Sequence, residues 1–322
     1  MNKNALEDEP TKKRKEHEEE EEDDDENDFE KKRRYQIAMQ RWAILKQALL
    51  GGKSSETCKS SVSVRRFSSF GLLQTEYLFS NNKEETWYQY TCADFPNFKM
   101  TIKHLPGKIN ANSLNGFNNT GNVCVWPSEE VMAYYCIKNL DEFRNKNIIE
   151  LGGGMTCLAG VAVSILSEAQ SVVLTDGNEE SIDNLTDILN DKSNAELLRK
   201  TKVSSRMLRW GEGELDKDLR GHFDIIICAD CLFFDEGRED LVQLVYDLLK
   251  PNGKCWMFAP KRGATFDEFK QAAEEKFHTL EEERFEKKIY DLHCKLKESG
   301  TDQYDPNIHF PIHLQLTKKD VS

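Results

Sequence analysis

Asn147-Ile-Ile-Glu-Leu-Gly-Gly-Gly-Met-Thr156 is the stretch that decides the fold. Ile148, Ile149 and Leu151 suit a buried strand. Gly152, Gly153 and Gly154 follow at once as a turn whose backbone can pass close to a ligand. From Thr156 the run Cys157-Leu-Ala-Gly-Val-Ala-Val-Ser-Ile-Leu166 is helical. Strand, glycine turn and helix in this order predict the first βα unit of a nucleotide-binding α/β sheet. The spacing bears on which nucleotide. A dinucleotide fingerprint asks for glycine at 152, 154 and 157, and residue 157 is Cys. Glu150, just ahead of the first glycine, suits S-adenosylmethionine instead, because a carboxylate there can hold a cationic methionine end.

Further strands are expected on either side. Ser171-Val-Val-Leu-Thr-Asp176 ends in an acid 24 residues after Gly152, where such folds place the carboxylate that binds ribose hydroxyls. A third strand is expected to end at Leu208-Arg209-Trp210, which puts an indole near an adenine site. A fourth, Phe223-Asp-Ile-Ile-Ile-Cys-Ala-Asp230, is apolar and again ends in a carboxylate. Four strand tips on one edge of a parallel sheet make a ligand site. Lys254 to Ala259 reads as a fifth strand after a helix over 241–249 that stops at Pro251-Asn-Gly253. A helix over 266–277 follows, then two late strands near 280–289 and 309–317 joined by a long loop. Little but Gly-, Glu- and Asp-rich loop lies between Trp210 and Phe223, so one crossover helix is missing. The fold class is α/β, a doubly wound sheet with a β-rich N-terminal extension.

Four regions are expected along the chain. Residues 1–34 are a charged, low-complexity tail that cannot bury enough apolar surface to fold. Residues 35–61 are an amphipathic helix carrying Ala38, Trp42, Leu45 and Leu49 at helical spacing, followed by a Ser-rich linker. Residues 62–140 are the extension, with strands at 64–67, 86–91 and 98–102, turns at Asn81-Asn82 and Pro96-Asn97, and a helix opening at Pro127-Ser-Glu-Glu130. Residues 141–318 are the nucleotide-binding domain.

The net charge of −13 divides into −6 over the first 34 residues and −7 over the remaining 288. An acidic folded part argues against a nucleic-acid substrate held through its phosphates. Nine cysteines, mostly inside apolar runs, suit a reducing compartment. Neither a signal peptide nor a membrane span is expected. Lys12-Lys-Arg-Lys15 and Lys31-Lys-Arg-Arg34 read either as nuclear-import signals, for a protein both cytoplasmic and nuclear, or as part of a solubilising, self-neutralising tail, and a monomer is expected. Cys228-Ala-Asp-Cys231 has the C-x-x-C spacing but no second ligand pair, so it is read as packing, with no metal.

Several blocks, in order, closely resemble the calmodulin-lysine N-methyltransferases: Phe117 through Cys136, Glu150 through Gly160, Leu174-Thr-Asp-Gly-Asn178, Gly221 through Phe233 and Phe258-Ala-Pro-Lys-Arg-Gly263. The resemblance covers roughly residues 60–318. It implies a seven-strand, Rossmann-like methyltransferase of the group marked by Asp-x-x-Tyr/Phe, here Asp230-Cys-Leu-Phe233. It further implies S-adenosylmethionine as cofactor, calmodulin as protein partner and trimethylation of one lysine. By analogy with the group, Trp126, Gly152, Gly153, Gly154, Asp176, Trp210 and Ala229 contact the cofactor.

Methyl transfer from a sulfonium to an amine is an in-line displacement that needs no metal but does need a neutral lysine, whose free pKa is ~10.4. A nearby sulfonium and an apolar channel both lower that value. Asp230 is the group expected to orient the amine. Phe233, with Phe234, Trp126 and Tyr90, supplies aromatic walls able to hold a methylated ammonium. Two basic pairs, Arg65-Arg66 and Lys261-Arg262, are the expected docking charges for an acidic partner. The competing readings are an NAD-dependent oxidoreductase and a non-catalytic interaction protein on the same scaffold.

Overall fold

The computed structural model describes residues 67, 69–78, 85–105, 124–232, 237–301 and 303–319, all within one unit, Glu56–Ser322. The expected helix over 35–50, the strand at 64–67 save its last residue, the Asn81-Asn82 turn and Phe233-Phe234 lie outside the described residues.

The stretch that opens the sequence reading forms strand β4 (Asn147–Leu151), every residue of which is buried. Such burial on both faces belongs to the middle of a parallel sheet. β4 pairs in parallel with β5 (Ser171–Asp176) on one side and with β7 (Phe223–Ala229) on the other. Outward from these lie β6 (Lys202–Met207) and β8 (Leu249–Ala259), giving the order β6-β5-β4-β7-β8-β10-β9. β10 (Ile312–Lys318) is antiparallel both to β8 and to β9 (Phe277–Glu282), so it alone runs against the rest. The chain moves from β4 out to β6, then returns to the other side of β4 at β7. That reversal opens a crevice at the tips of β4 and β7.

Alternation of side chains divides the core in two. Ile148, Ile225, Ile227 and Phe258 face helices α1 (Pro127–Lys138) and α2 (Leu158–Leu166), and Leu185 and Ile188 of α3 (Glu179–Asn190) join them. Ile149, Leu151, Ile226, Cys228 and Met257 face α5 (Arg238–Leu248) and α6 (Thr265–Ala273). A short helix, α4 (Lys192–Leu197), follows α3, and the 208–222 segment before β7 is helix-free, as the sequence implies.

The extension is a three-stranded antiparallel sheet of β1 (Gln74–Leu78), β2 (Thr86–Cys92) and β3 (Phe95–His104). Phe98, Met100 and Ile102 of β3 belong to the same apolar cluster as Leu185 and Ile188, so extension and main sheet share one core. The hairpin turns at Ala93-Asp94, and the expected turn residues Pro96-Asn97 lie inside β3. β3 is an edge strand, where a residue without an N–H costs no ladder bond.

Two further expectations are corrected. The loop foreseen between the late strands holds α7 (Lys287–Ser299) and a single turn, α8 (Pro306–His309), and Ile289 and His293 are the buried residues of α7. Helix α5 ends at Leu248, three residues before Pro251. Pro251-Asn-Gly253 is an irregularity inside β8, where the register to β7 slips and Asn252 takes φ +60°.

Candidate functional site

The crevice is lined by the turn between β4 and α2. Gly152 and Gly154 take φ of +59° and +60°, which side-chain-bearing residues rarely adopt. A Cβ at Gly152 would sit 2.7 Å from Cys231 Sγ and 3.1 Å from the Trp210 indole. One at Gly153 would sit 2.3 Å from Cys157 Sγ and 3.0 Å from its Cα. The glycines therefore keep the turn collapsed onto Cys157 and leave its outer surface against an indole.

Three carboxylates surround this turn. Asp176, at the tip of β5, accepts from Gly154 N at 2.9 Å and from Asn178 N at 2.9 Å. Glu150 is fully buried, and its Oε2 accepts from Gly160 N of α2 at 2.7 Å while its Oε1 has no hydrogen-bond partner. Glu129, in the first turn of α1, accepts from the Thr156 hydroxyl, from Leu158 N at 3.3 Å and from Trp126 N at 3.3 Å. Burial pushes Glu129 up to about 7, against its hydrogen bonds from Thr156, Leu158 and Trp126. Burial likewise raises Asp176 to about 6. Glu150 is driven well above the carboxylate range, by burial first and then by the charge of Glu129.

This arrangement decides between ligands. In dinucleotide sites the amides at the helix N-terminus hold a pyrophosphate. Here Leu158 N and Gly160 N of α2 already donate to Glu129 and Glu150. A helix terminus already capped by protein carboxyls leaves a pyrophosphate no amides to take, and a cation would draw these carboxyls back to their charged form.

The tip of β7 carries Ala229 and Asp230. Asp230 takes the left-handed φ of +57° and is 8% exposed, and its N–H donates to Phe258 O at 2.8 Å. Arg262 Nη2 donates to its Oδ2 at 2.7 Å. Nη1 lies 2.6 Å from Oδ1 as an ion contact without the direction of a hydrogen bond, and Oδ1 is itself buried. Arg262, itself at φ +42°, also sets its guanidinium 5.8 Å from the centroid of the Trp126 ring. Of the pair expected to dock an acidic partner, Arg262 is thus turned inward, and Lys261 stands 3.8 Å from Glu281. Arg65-Arg66 lies outside the described residues.

The structure gathers Gly152, Gly153, Gly154, Asp176 and Trp210 around one turn and places Asp230 and Trp126 together through Arg262. Tyr90 is buried and bonds through its hydroxyl to His104 Nε2 at 2.9 Å. Of the C-x-x-C pair, Cys228 sits in the core and Cys231 lies against the Gly152 turn, and the described cysteines are free thiols. Among the described residues no cluster of three or more His, Cys, Asp or Glu is arranged to hold a metal. On sequence alone Glu129 reads only as part of a helix opening, and its bonds to Thr156 and Leu158 go unforeseen. The one signal was the Pro127-Ser-Glu-Glu130 opening itself.

Comparison with known proteins bears on this geometry. Residues 109–283 match the family model described as lysine methyltransferase. The chain is 31% identical over 296 residues to a calmodulin-lysine N-methyltransferase of Arabidopsis thaliana, covering 87% of this chain and 96% of that protein. It is 28% identical over 139 residues to a protein N-terminal and lysine N-methyltransferase of Candida glabrata, covering 40% of this chain and 52% of that one. Among solved structures, a putative methyltransferase complexed with the Trm112 activator of Haloferax volcanii superposes with a TM-score of 0.44 at 11% identity, over 60% of this chain and 91% of that one.

Proposed function

The chain belongs to the lysine methyltransferase family, and from that premise we propose that it transfers methyl groups from S-adenosylmethionine to a lysine of calmodulin, the substrate named for its Arabidopsis relative. The observation that carries the choice of cofactor is the filled N-terminus of α2. Glu129 and Glu150 occupy the amides that a dinucleotide phosphate would need, and Glu150 Oε1 stays buried without a partner. That favours a cationic ligand over NAD, and the family match gives the oxidoreductase reading no support.

The residues present fit S-adenosylmethionine. Gly152, Gly153 and Gly154 give the backbone close approach, Asp176 at the tip of β5 would face the ribose hydroxyls, and Trp210 would offer a flat surface to the adenine. Glu150 and Glu129 would face the cationic end, whose charge would draw both carboxyls back to their ionised form, Trp126 and Ala229 would close the pocket, and the bound cofactor would supply an activated methyl group. Asp230 would hold an N–H of the incoming amine and so aim its lone pair. That lone pair would take up the methyl group the cofactor supplies, the sulfur keeping the C–S electrons, and the amine's extra proton would leave to water. Phe233 is the proposed wall beside the amine. Most of the rate then comes from holding two reactants in line.

The test is incubation of the protein with unmethylated calmodulin and S-adenosylmethionine, read by intact mass. Stepwise gains of one, two and three methyl groups on one lysine are expected. Protein that binds S-adenosylhomocysteine yet leaves calmodulin unchanged would overturn the substrate.

A further inference from the structure

We infer that Arg262 is a positioning residue for methyl transfer, clamping Asp230 and Trp126 into one unit at the mouth of the crevice; the inference rests on the methyltransferase reading above.

Three independent features converge on this side chain. The first is its contact with Asp230: Nη2 donates to Oδ2 at 2.7 Å, Nη1 touches Oδ1 at 2.6 Å, and the two side chains are only 18% and 8% exposed. A guanidinium fork fixes both the position and the plane of a carboxylate, which an ammonium cannot do. The second is backbone strain. Asp230 and Arg262 are both non-glycine residues in the left-handed region, at φ +57° and +42°. Each such residue is strained and persists only where its surroundings hold it, commonly at functional sites. Asp230 N is held by Phe258 O at 2.8 Å and Arg262 N by Asn307 O at 2.8 Å, so β7, β8 and α8 together impose the pairing. The third is Trp126, whose ring lies 5.8 Å from the same guanidinium.

The consequence is chemical. With both oxygens of Asp230 facing the Arg262 guanidinium, the direction of the lone pairs left to a substrate is set by the fork. Asp230 is therefore an ion-paired acceptor that aims an amine. Arg262 does not touch the reacting atoms, and it governs the reaction by fixing where the Asp230 carboxylate and the Trp126 ring stand.

Arg262→Gln and Arg262→Lys in the full chain test this, with kcat and KM for calmodulin, calorimetric affinity for S-adenosylhomocysteine and thermal midpoint measured together. Arg262→Gln should lower kcat by roughly tenfold to a hundredfold, the scale of a small misplacement of a reacting group. S-adenosylhomocysteine affinity should stay within a few-fold of wild type. Arg262→Lys keeps the charge but not the fork, and should recover part of the loss. If Arg262→Gln fails to fold, Arg262→Lys decides alone: lowered kcat at unchanged S-adenosylhomocysteine affinity supports the clamp. Wild-type kcat in either folded variant, or a kcat loss matched by an equal loss of S-adenosylhomocysteine affinity, overturns it. Absence of turnover by the wild-type protein overturns the calmodulin reading and the clamp together, which separates that failure from one confined to Arg262.

Discussion

Glu129 sits at the boundary between structure and chemistry, and its protonation gives a sharp test of the site. Its carboxyl is raised from 4.5 to about 7 by burial, a displacement worth on the order of 3 kcal/mol. The folded protein therefore holds a proton that the unfolded chain has released between those two values. The sign follows: this contribution to stability is complete below 4.5 and is lost as pH rises through about 7. Asp176, raised from 3.8 to about 6, adds in the same direction. The ligand-free protein should thus lose thermal stability from pH 5 to pH 8, and Glu129→Gln should flatten that slope. Equal slopes in the two proteins by scanning calorimetry would remove Glu129 from the cluster. Because S-adenosylmethionine is cationic, it should stabilise the wild type more at pH 8 than at pH 5. A second residue-scale prediction concerns Gly153, where even a methyl group meets Cys157 Sγ at 2.3 Å and its Cα at 3.0 Å. Gly153→Ala should weaken S-adenosylmethionine binding by an order of magnitude or so and lower the thermal midpoint as well; unchanged affinity by calorimetry would place the ligand away from the turn. Gly152 to Gly154, Asp176 and Trp210 were legible because strand, turn and acid follow each other at short range. Arg262's clamp on Asp230 was not, because it joins residues 32 apart through a left-handed turn.

At the scale of elements, the extension is fastened to the main sheet and its helices by a few buried side chains. Asn184 of α3 donates to Lys103 O at the end of β3 and to Met155 O just after the glycine turn, each at 2.8 Å. Glu130 of α1 accepts from Phe70 N at 2.7 Å, Leu72 N at 2.8 Å and Leu73 N at 3.2 Å, holding the segment before β1. Asn184→Ala takes this donor from the buried Met155 carbonyl and the part-buried Lys103 carbonyl and should cost about 1–3 kcal/mol, chiefly for the first. Urea denaturation measures it, and a loss under 0.5 kcal/mol, the size of an ordinary surface substitution, would mean water replaces the amide. The parallel strands were legible in the sequence because apolar runs buried on both faces differ from everything around them. The late helix α7 was misread as strand and loop. Its Ile289, Leu292, His293 and Leu296 recur at helical spacing, but with only Ile289 and His293 buried among charged neighbours the pattern is thin. β1 went unseen because four of its five residues are exposed and its pairing with β2 supplies the order.

For the molecule as a whole, charge sets the terms of encounter. A chain of net charge −13 meeting an acidic calmodulin should associate slowly at low ionic strength. Raising salt from about 10 to 150 mM shortens the screening length and should lower KM for calmodulin. A KM that rises with salt would reveal a basic docking face. Residues 1–34 lie ahead of the matched region 109–283, and deleting them should leave kcat intact. If the two basic clusters direct import, the same deletion should move a fluorescent fusion out of the nucleus, and an unmoved fusion would end that reading. The strand order bears on biosynthesis too. β10 is the last described strand to leave the ribosome, yet it slots between β8 and β9, which were made earlier and do not pair with each other. Until it arrives, both strands present open edges that invite pairing with other chains. A message cut short before Ile312 should therefore yield not a weakened enzyme but a sticky one, recovered with chaperones or in the insoluble fraction.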